Sequence, residues 1–501
     1  MDQHATHDGP GSIRPPEALL NVLGTWATGP QPLFRQLAGA IDEAIERGDL
    51  RPGDRLPPER DLARALSLSR STVVAALDLL RGDGRLASRQ GSGTWVPRRA
   101  AVTAEERGRL LDGLARNPLV RGVLAEPGPV IELTAAVVTG MPAVVDAALR
   151  AAADDLPALV AGHGYAPFGI PALREAIAAS YTRLGLPTAP GQVLVTSGAQ
   201  QAISLLTQAY VAPGTPVVVE DPSYVVALDV FRAAGAELVG VEVGPRGADP
   251  ALLRDRLIRT RPAFAYLVPT YQNPTGATMP EPARRAIAAA AAELGALVLE
   301  DDAMQGLRHV DGPDPLPIAT YAPDAPIVTI GSLSKRAWGG LRVGWMRAPE
   351  AVIARVGRLK VLADYGTSSV AQATAVRVLE RIDELTAERR AAVAANAAHL
   401  ERLLAEYLPD WTWERPEGGV TAWIRLPAGD AGALAQVCLR HGVAIVPGAA
   451  TSVDGRFTDR VRLTFGDASQ LEEGIARLGR AWRAYRADAA TPPRDPVAWV
   501  V

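Results

Sequence analysis

The stretch Gly331-Ser332-Leu333-Ser334-Lys335-Arg336-Ala337-Trp338-Gly339-Gly340-Leu341-Arg342 decides how the chain is read. It follows an apolar run, Ala325-Pro326-Ile327-Val328-Thr329-Ile330, with the look of a buried strand. The chain holds 52 Lys plus Arg, and only Lys335 and Lys360 are lysines. In a sequence so biased toward arginine, a lysine stands out as a position where arginine will not serve. A guanidinium stays protonated and is no nucleophile. An activated lysine amine can bond covalently to a carbonyl carbon. Ser332 and Ser334 precede Lys335, and Arg342 follows it. A strand end bearing hydroxyls, an amine and an arginine could anchor a phosphorylated carbonyl cofactor. The plainer reading is a lysine in a surface loop, and the rest of the chain has to decide between the two.

At 501 residues the chain is long enough for two or three domains, and 48% apolar residues supply a large core. The formal net charge of −3 advertises no global basic field for nucleic acid. A single cysteine, Cys438, excludes a disulfide framework and a cysteine-based zinc site, and suits a reducing cytoplasm. No metal site is expected. Met1 to Pro16 lacks a basic segment followed by an apolar one, so no signal peptide is read there. No apolar run is long enough to cross a membrane.

Residues 1–30 read as a polar tail. From Pro32 the pattern turns helical, with Leu33, Leu37, Ile41 and Ile45 on one stripe. Pro57-Pro58-Glu59 opens a second helix. Ser69 is the N-cap of a third, which carries Val73, Val74, Leu77 and Leu80. Arg85 to Val96 reads as a hairpin with a Gly-Ser-Gly tip. Three short helices and a hairpin describe a winged helix-turn-helix over residues 31–97. From Gln31 to Arg99 there are twelve arginines against nine acids, a local excess of three positive charges.

Four segments then support a family. Pro32-Leu33-Phe34-Arg35-Gln36-Leu37, Leu56-Pro57-Pro58-Glu59-Arg60-Asp61-Leu62-Ala63, Ser69-Arg70-Ser71-Thr72-Val73 and Arg89-Gln90-Gly91-Ser92-Gly93-Thr94 closely resemble the DNA-binding domain of GntR-type bacterial regulators. The resemblance implies that Arg60, Ser69, Arg70, Ser71 and Thr72 contact double-stranded DNA. It also implies that a wing around Gln90 and Gly91 reaches the minor groove.

Residues 98–129 read as an interdomain linker with a weak helical stretch at Ala104 to Leu114. Residues 130–485 alternate apolar strands with Ala-rich helices. Strand candidates are Val193 to Thr196, Pro216 to Glu220, Ala265 to Val268, Ala296 to Glu300 and Ile327 to Ile330. Such a pattern predicts an α/β fold, a mostly parallel sheet with helices on both faces, with ligands beyond the strands' C-terminal ends. Polar clusters fall at those ends: Ser197-Gly198-Ala199-Gln200, Asp221-Pro222-Ser223-Tyr224, Gln272-Asn273-Pro274-Thr275-Gly276, Glu300-Asp301-Asp302, and Lys335 with Arg342. Each alone has an ordinary reading as a turn or cap. Five in order, each at a strand end, are hard to explain as turns alone. Residues 486–501 form a proline-rich tail with no function assigned.

In that order the clusters resemble fold-type I pyridoxal-phosphate enzymes of the class I/II aminotransferase group, with a smaller C-terminal α+β subdomain implied. By resemblance, Lys335 forms the internal aldimine with pyridoxal 5'-phosphate (PLP). Asp301 keeps the pyridine nitrogen protonated, making the ring an electron sink. Asn273 meets the ring hydroxyl and Tyr224 stacks on the ring. Ser197, Gly198, Ala199, Ser332 and Arg342 hold the phosphate. Tyr165 matches the tyrosine that family members lend to the partner subunit, and Arg462 the arginine that clamps a substrate carboxylate. One departure is that many members carry a tyrosine two or three residues after the aspartate, where this chain has Ala303 and Met304. Its loss argues against efficient turnover but not against cofactor binding. The two resemblances together describe MocR-type regulators. Those are homodimers that sense PLP, or an amino compound reacting with it, and alter transcription, with the linker carrying the signal. The rival reading is an active aminotransferase with an appended DNA-binding domain.

Overall fold

The structure, a computed structural model, describes residues 16–24, 26–27, 31–51, 53–82, 85–89, 93–97 and 129–490. The expected linker helix at Ala104 to Leu114 and the wing residues Gln90 and Gly91 lie outside the described residues.

Four helices and a hairpin make the N-terminal unit. They are α1 (Pro16–Leu23), α2 (Leu33–Glu46), α3 (Glu59–Ala65), α4 (Arg70–Gly82), β1 (Ala87–Arg89) and β2 (Gly93–Trp95). The antiparallel pairing of Ser88 with Thr94 builds the wing. Leu37, Ile41, Leu62, Val73, Leu77 and Leu80 meet in one core. The expectation of a tail over residues 1–30 needs correction, because α1 lies within it. Leu19 and Leu23, one helical turn apart, join that core together with Trp26.

Beyond the linker the strands are β3 (Ile131–Glu132), β4 (Val193–Thr196), β5 (Pro216–Asp221), β6 (Glu237–Gly244), β7 (Gly247–Ala248), β8 (Ala265–Leu267), β9 (Val298–Asp301), β10 (Ile327–Ser332) and β11 (Gly344–Arg347). Eight of them form one sheet in the order β4-β11-β10-β9-β8-β5-β6-β7. Neighbours from β10 through β6 run parallel, while β11 runs antiparallel to β10 and β4. Side-chain alternation assigns the two faces. Val193, Val195 and Val218 enter one helix-covered core, while Leu194, Val217 and Val219 enter the other. Both faces are therefore buried, which is why these strands read as continuous apolar runs.

A second sheet lies in the C-terminal part, where β12 (Thr412–Trp413), β13 (Thr421–Arg425), β14 (Val443–Ala444), β15 (Val446–Pro447) and β16 (Arg460–Thr464) follow. Its order is β12-β13-β16-β15, and β14 pairs separately with β3. Helices Ile382–Tyr407, Ala431–Arg440 and Ala468–Ala490 cover it. The last helix runs past residue 485, so the tail proposed from 486 begins inside it. Helix Ala431–Arg440 also touches α1, where Gln436 Nε2 donates to the Gly24 carbonyl at 2.7 Å.

Candidate functional site

All five polar clusters sit at the same edge of the large sheet. They follow the C-terminal ends of β4, β5, β8, β9 and β10, which point one way. Lys335 lies three residues beyond β10, in a turn that Ser332 helps set by accepting from the Ser334 N–H at 3.1 Å. Burial first, then the charges of Arg462 and Arg342, bring the Lys335 amine down to about 8, with Asp301 opposing. Lys335 is thus within electrostatic reach of all three residues. A buried amine that feels two arginines against one acid holds its proton weakly and is partly neutral near pH 7–8.

Asp301 closes β9 and is 6% exposed. Its Oδ2 accepts from the Tyr266 hydroxyl at 2.8 Å, and its Oδ1 from the Ala303 N–H at 3.1 Å. Burial pushes this carboxyl up, while those two donors and Lys335 pull it down. Met304, at one of the positions where a tyrosine was looked for, packs instead into the core of the second sheet. Tyr224 caps helix Val225–Ala233, and burial raises its phenol to about 12.

Gly198 has φ +104, and a Cβ there would meet Arg342 Nη2 at 3.0 Å. Arg342 reaches over this turn to donate to the Ser197 carbonyl. Helix Ala199–Tyr210 begins at the turn and aims its N-terminus along the sheet edge. Not every backbone N–H of this turn is free for a phosphate. The Ser197 N–H already donates to Gln201 Oε1 at 2.8 Å, so the turn's available donors are later in the chain. Gln201 is itself held by Asp364, which pairs with the buried Lys360 at 2.7 Å. Lys360 is therefore structural, and the network braces the turn from behind.

Asn273 is 7% exposed within a turn locked by its neighbour. Gln272 accepts from Thr275 N at 2.9 Å and donates to the Pro222 carbonyl at 2.7 Å. It thereby ties the Asn273 turn to the Tyr224 segment. Sequence reading gave Gln272 no role of its own within its cluster and missed Gln201 and Tyr266, neither of which stands out by type or spacing.

Arg462 on β16 is 1% exposed. It donates to the Thr134 carbonyl, and its Nε has no partner. Burial lowers it to about 10, which marks a charge short of an anion. Tyr165 is 64% exposed, and its ring contacts are with His163 and Tyr365.

At the N-terminal unit, Ser69 Oγ accepts from the Thr72 N–H at 3.1 Å, the N-cap that the sequence predicted. Ser69, Arg70 and Ser71 are exposed at the front of α4, and Arg60 is exposed on α3. Arg70 leans toward Glu59 at 3.5 Å, a contact loose enough to release to a phosphate.

The residues at the sheet edge fit PLP. They combine a weakly basic buried amine, a braced acid, a flat ring and a glycine cradle under an arginine, while Arg462 from the second sheet adds a buried cation with an orphaned Nε. No helix among the described residues is long and apolar enough to cross a membrane.

Comparison with known proteins agrees with both halves. Residues 129–478 match the model for aminotransferase class I and II, and residues 33–96 match that for bacterial regulatory proteins of the gntR family. The chain is 29% identical over 486 residues to YdfD, an HTH-type transcriptional regulator of Bacillus subtilis, covering 89% of this chain and 96% of the relative. It is 32% identical over 326 residues to PdxR, an HTH-type pyridoxine biosynthesis transcriptional regulator of Corynebacterium glutamicum, covering 64% and 67%. Among solved structures, the α-aminoadipate aminotransferase LysN of Thermus thermophilus, complexed with N-(5'-phosphopyridoxyl)-L-leucine, superposes with a TM-score of 0.66. The two are 30% identical, covering 74% of this chain and 95% of LysN. The chain belongs to the class I and II aminotransferase family and carries a GntR-type DNA-binding domain ahead of it.

Proposed function

We propose that this chain is a homodimeric, cytoplasmic transcription regulator that holds PLP at Lys335 and alters its grip on promoter DNA when an amino compound bearing a carboxylate reaches Arg462. The observation that carries the proposal is Arg462, a buried cation with an unsatisfied Nε in the same electrostatic neighbourhood as the Lys335 amine. Bound PLP would supply an aldehyde carbon open to amines and a ring that draws electrons.

The chain's residues then divide the work. The Lys335 amine, neutral in part near pH 7–8, makes the covalent attachment. Asp301 holds a proton at the ring nitrogen, Asn273 meets the ring hydroxyl, and Tyr224 covers one face. Gly198, Ala199, the Ser197 and Ser332 hydroxyls and Arg342 take the phosphate, and Tyr165 reaches that of the partner subunit. Arg462 orients the effector carboxylate. Arg60, Arg70, Ser71 and Thr72 meet DNA from α3 and the front of α4, with Ser69 fixing the end of that helix and Gln90 and Gly91 on the wing.

Two routes can couple the halves, the linker and the contact of α1 with helix Ala431–Arg440. Arg462 pairs in register with Val446, and β15 in turn packs against that helix. A ligand that shifts β16 therefore bears on α1 and so on the core of the DNA-binding unit.

The test is the visible absorbance of the purified protein with PLP, before and after borohydride, beside Lys335→Ala. A yellow band lost on reduction and missing from Lys335→Ala is the expected result. A wild-type protein that stays colourless with added PLP would refute the cofactor reading. Steady turnover of an amino donor with a 2-oxo acid would favour the aminotransferase alternative. If Lys335→Ala kept the full amine-dependent change in DNA affinity, the coupling through Lys335 would be wrong.

A further inference from the structure

We propose that Tyr266 is a positioning residue for the cofactor's ring nitrogen: its phenol fixes the Asp301 carboxylate and biases the shared proton toward the ring and away from the acid. The inference rests on the PLP reading above and deepens it.

Tyr266 stands on β8, opposite Leu299 of β9 and two residues short of Asp301. It is fully buried, and its ring meets Phe231 edge-on at 5.5 Å. Burial and the neighbouring carboxylates push its hydroxyl well above the usual phenol range, so it stays protonated and can only donate to Asp301. With the Ala303 N–H on the other oxygen, each Asp301 oxygen receives one donor. A carboxylate pinned at both oxygens cannot rotate and keeps its remaining lone pairs in fixed directions.

The surroundings make this brace consequential. Glu220, Glu300 and Asp302 are all buried on neighbouring strands or at their ends, and Arg284 is the fully buried cation among them. Asp301 therefore sits in a region where burial favours the neutral acid. A neutral acid would not keep a pyridine nitrogen protonated, because the two compete for one proton. Every donor to the carboxylate lowers its basicity and tilts that competition toward the ring. Of the two donors, the Tyr266 hydroxyl is the one that a side-chain substitution can remove. This chain lacks a phenol two or three residues after the aspartate, and the phenol that reaches the carboxylate comes from the adjacent strand.

The test uses the full-length protein loaded with PLP labelled with 15N in the ring. Tyr266→Phe keeps the edge contact with Phe231 and deletes only the hydroxyl. In the wild type the nitrogen shift is expected in the protonated range. In Tyr266→Phe it should move toward the neutral pyridine value. A melting curve of the cofactor-free protein checks the fold. If folded Tyr266→Phe keeps the wild-type nitrogen shift, the proposal is overturned.

A second pair tests whether the phenol acts through Asp301. Asp301→Asn removes the carboxylate that Tyr266 is said to serve. Asp301→Asn and Asp301→Asn/Tyr266→Phe should then show the same nitrogen shift. A further change in the double variant, as large as that expected from Tyr266→Phe alone, would mean that the phenol acts independently of Asp301 and would overturn the proposal. A wild-type protein that takes up no PLP would instead sink the cofactor reading itself.

Discussion

Raising the pH on cofactor-free protein should accelerate PLP uptake until the Lys335 amine is fully neutral. The amine sits at about 8 instead of 10.5, chiefly through burial, then through Arg462 and Arg342. At pH 7 about one amine in ten is then neutral, against roughly one in three thousand for an unperturbed lysine, a gain of about 300-fold in reactive form. From pH 7 to 9 the second-order rate constant for uptake should rise about tenfold and then level off. The same shift has a stability consequence with a definite sign. The folded amine loses its proton more easily than the unfolded one, so its burial opposes folding fully below pH 8. That penalty is on the order of 3 kcal/mol at most, and it fades as pH rises toward 10.5. Stopped-flow visible absorbance on apo protein from pH 6 to 10.5 would follow the rate. A rate flat from pH 6 to 9, or one still climbing with unit slope at pH 10, would refute the assignment of an activated amine at Lys335.

Replacing Arg462 with Met should raise the stability of the cofactor-free protein by about 1–3 kcal/mol, since a buried guanidinium with an orphaned Nε is removed. The same variant should bind carboxylate-bearing amines about a hundredfold more weakly, and melting and spectral titration would show both. Arg60→Ala should weaken DNA binding for all sequences alike and flatten the salt dependence by about one unit, measured by fluorescence anisotropy across a salt series. Ser69→Ala should cost the DNA-binding unit about 1 kcal/mol by uncapping α4, read from denaturant unfolding, beyond any loss of DNA contact.

Much of the large fold could be read in advance because its strands are buried on both faces. Residues such as Val217-Val218-Val219 must be apolar throughout to lie between two helix layers, and that leaves a plain signature. The strand-end clusters were legible for the same reason, since polar residues closing an apolar run have few other places to go. Three features were not. Helix α1 is short and set among polar residues, so Leu19 and Leu23 gave too little period to separate it from a tail. Tyr266 read as one more core residue, because its bond to Asp301 joins different strands across a register that only the folded sheet fixes. Gln201 and Gln272 each join a nearby backbone N–H to a group far away in sequence, Asp364 and the Pro222 carbonyl, and nothing in residue type says which partners a glutamine will take.

The burial of both lysines has a practical outcome. Lys360 is fully buried and Lys335 mostly so. Apart from its α-amino group, the folded chain offers aldehydes almost no competing primary amine. Stray condensation of free PLP at the surface should be slight, and a reductively trapped label should approach one per chain. A lysine-specific protease acting on the denatured protein can cut only after residues 335 and 360. Borohydride-trapped cofactor would block the first of these cuts, leaving residues 1–360 as a single fragment whose mass reports occupancy directly.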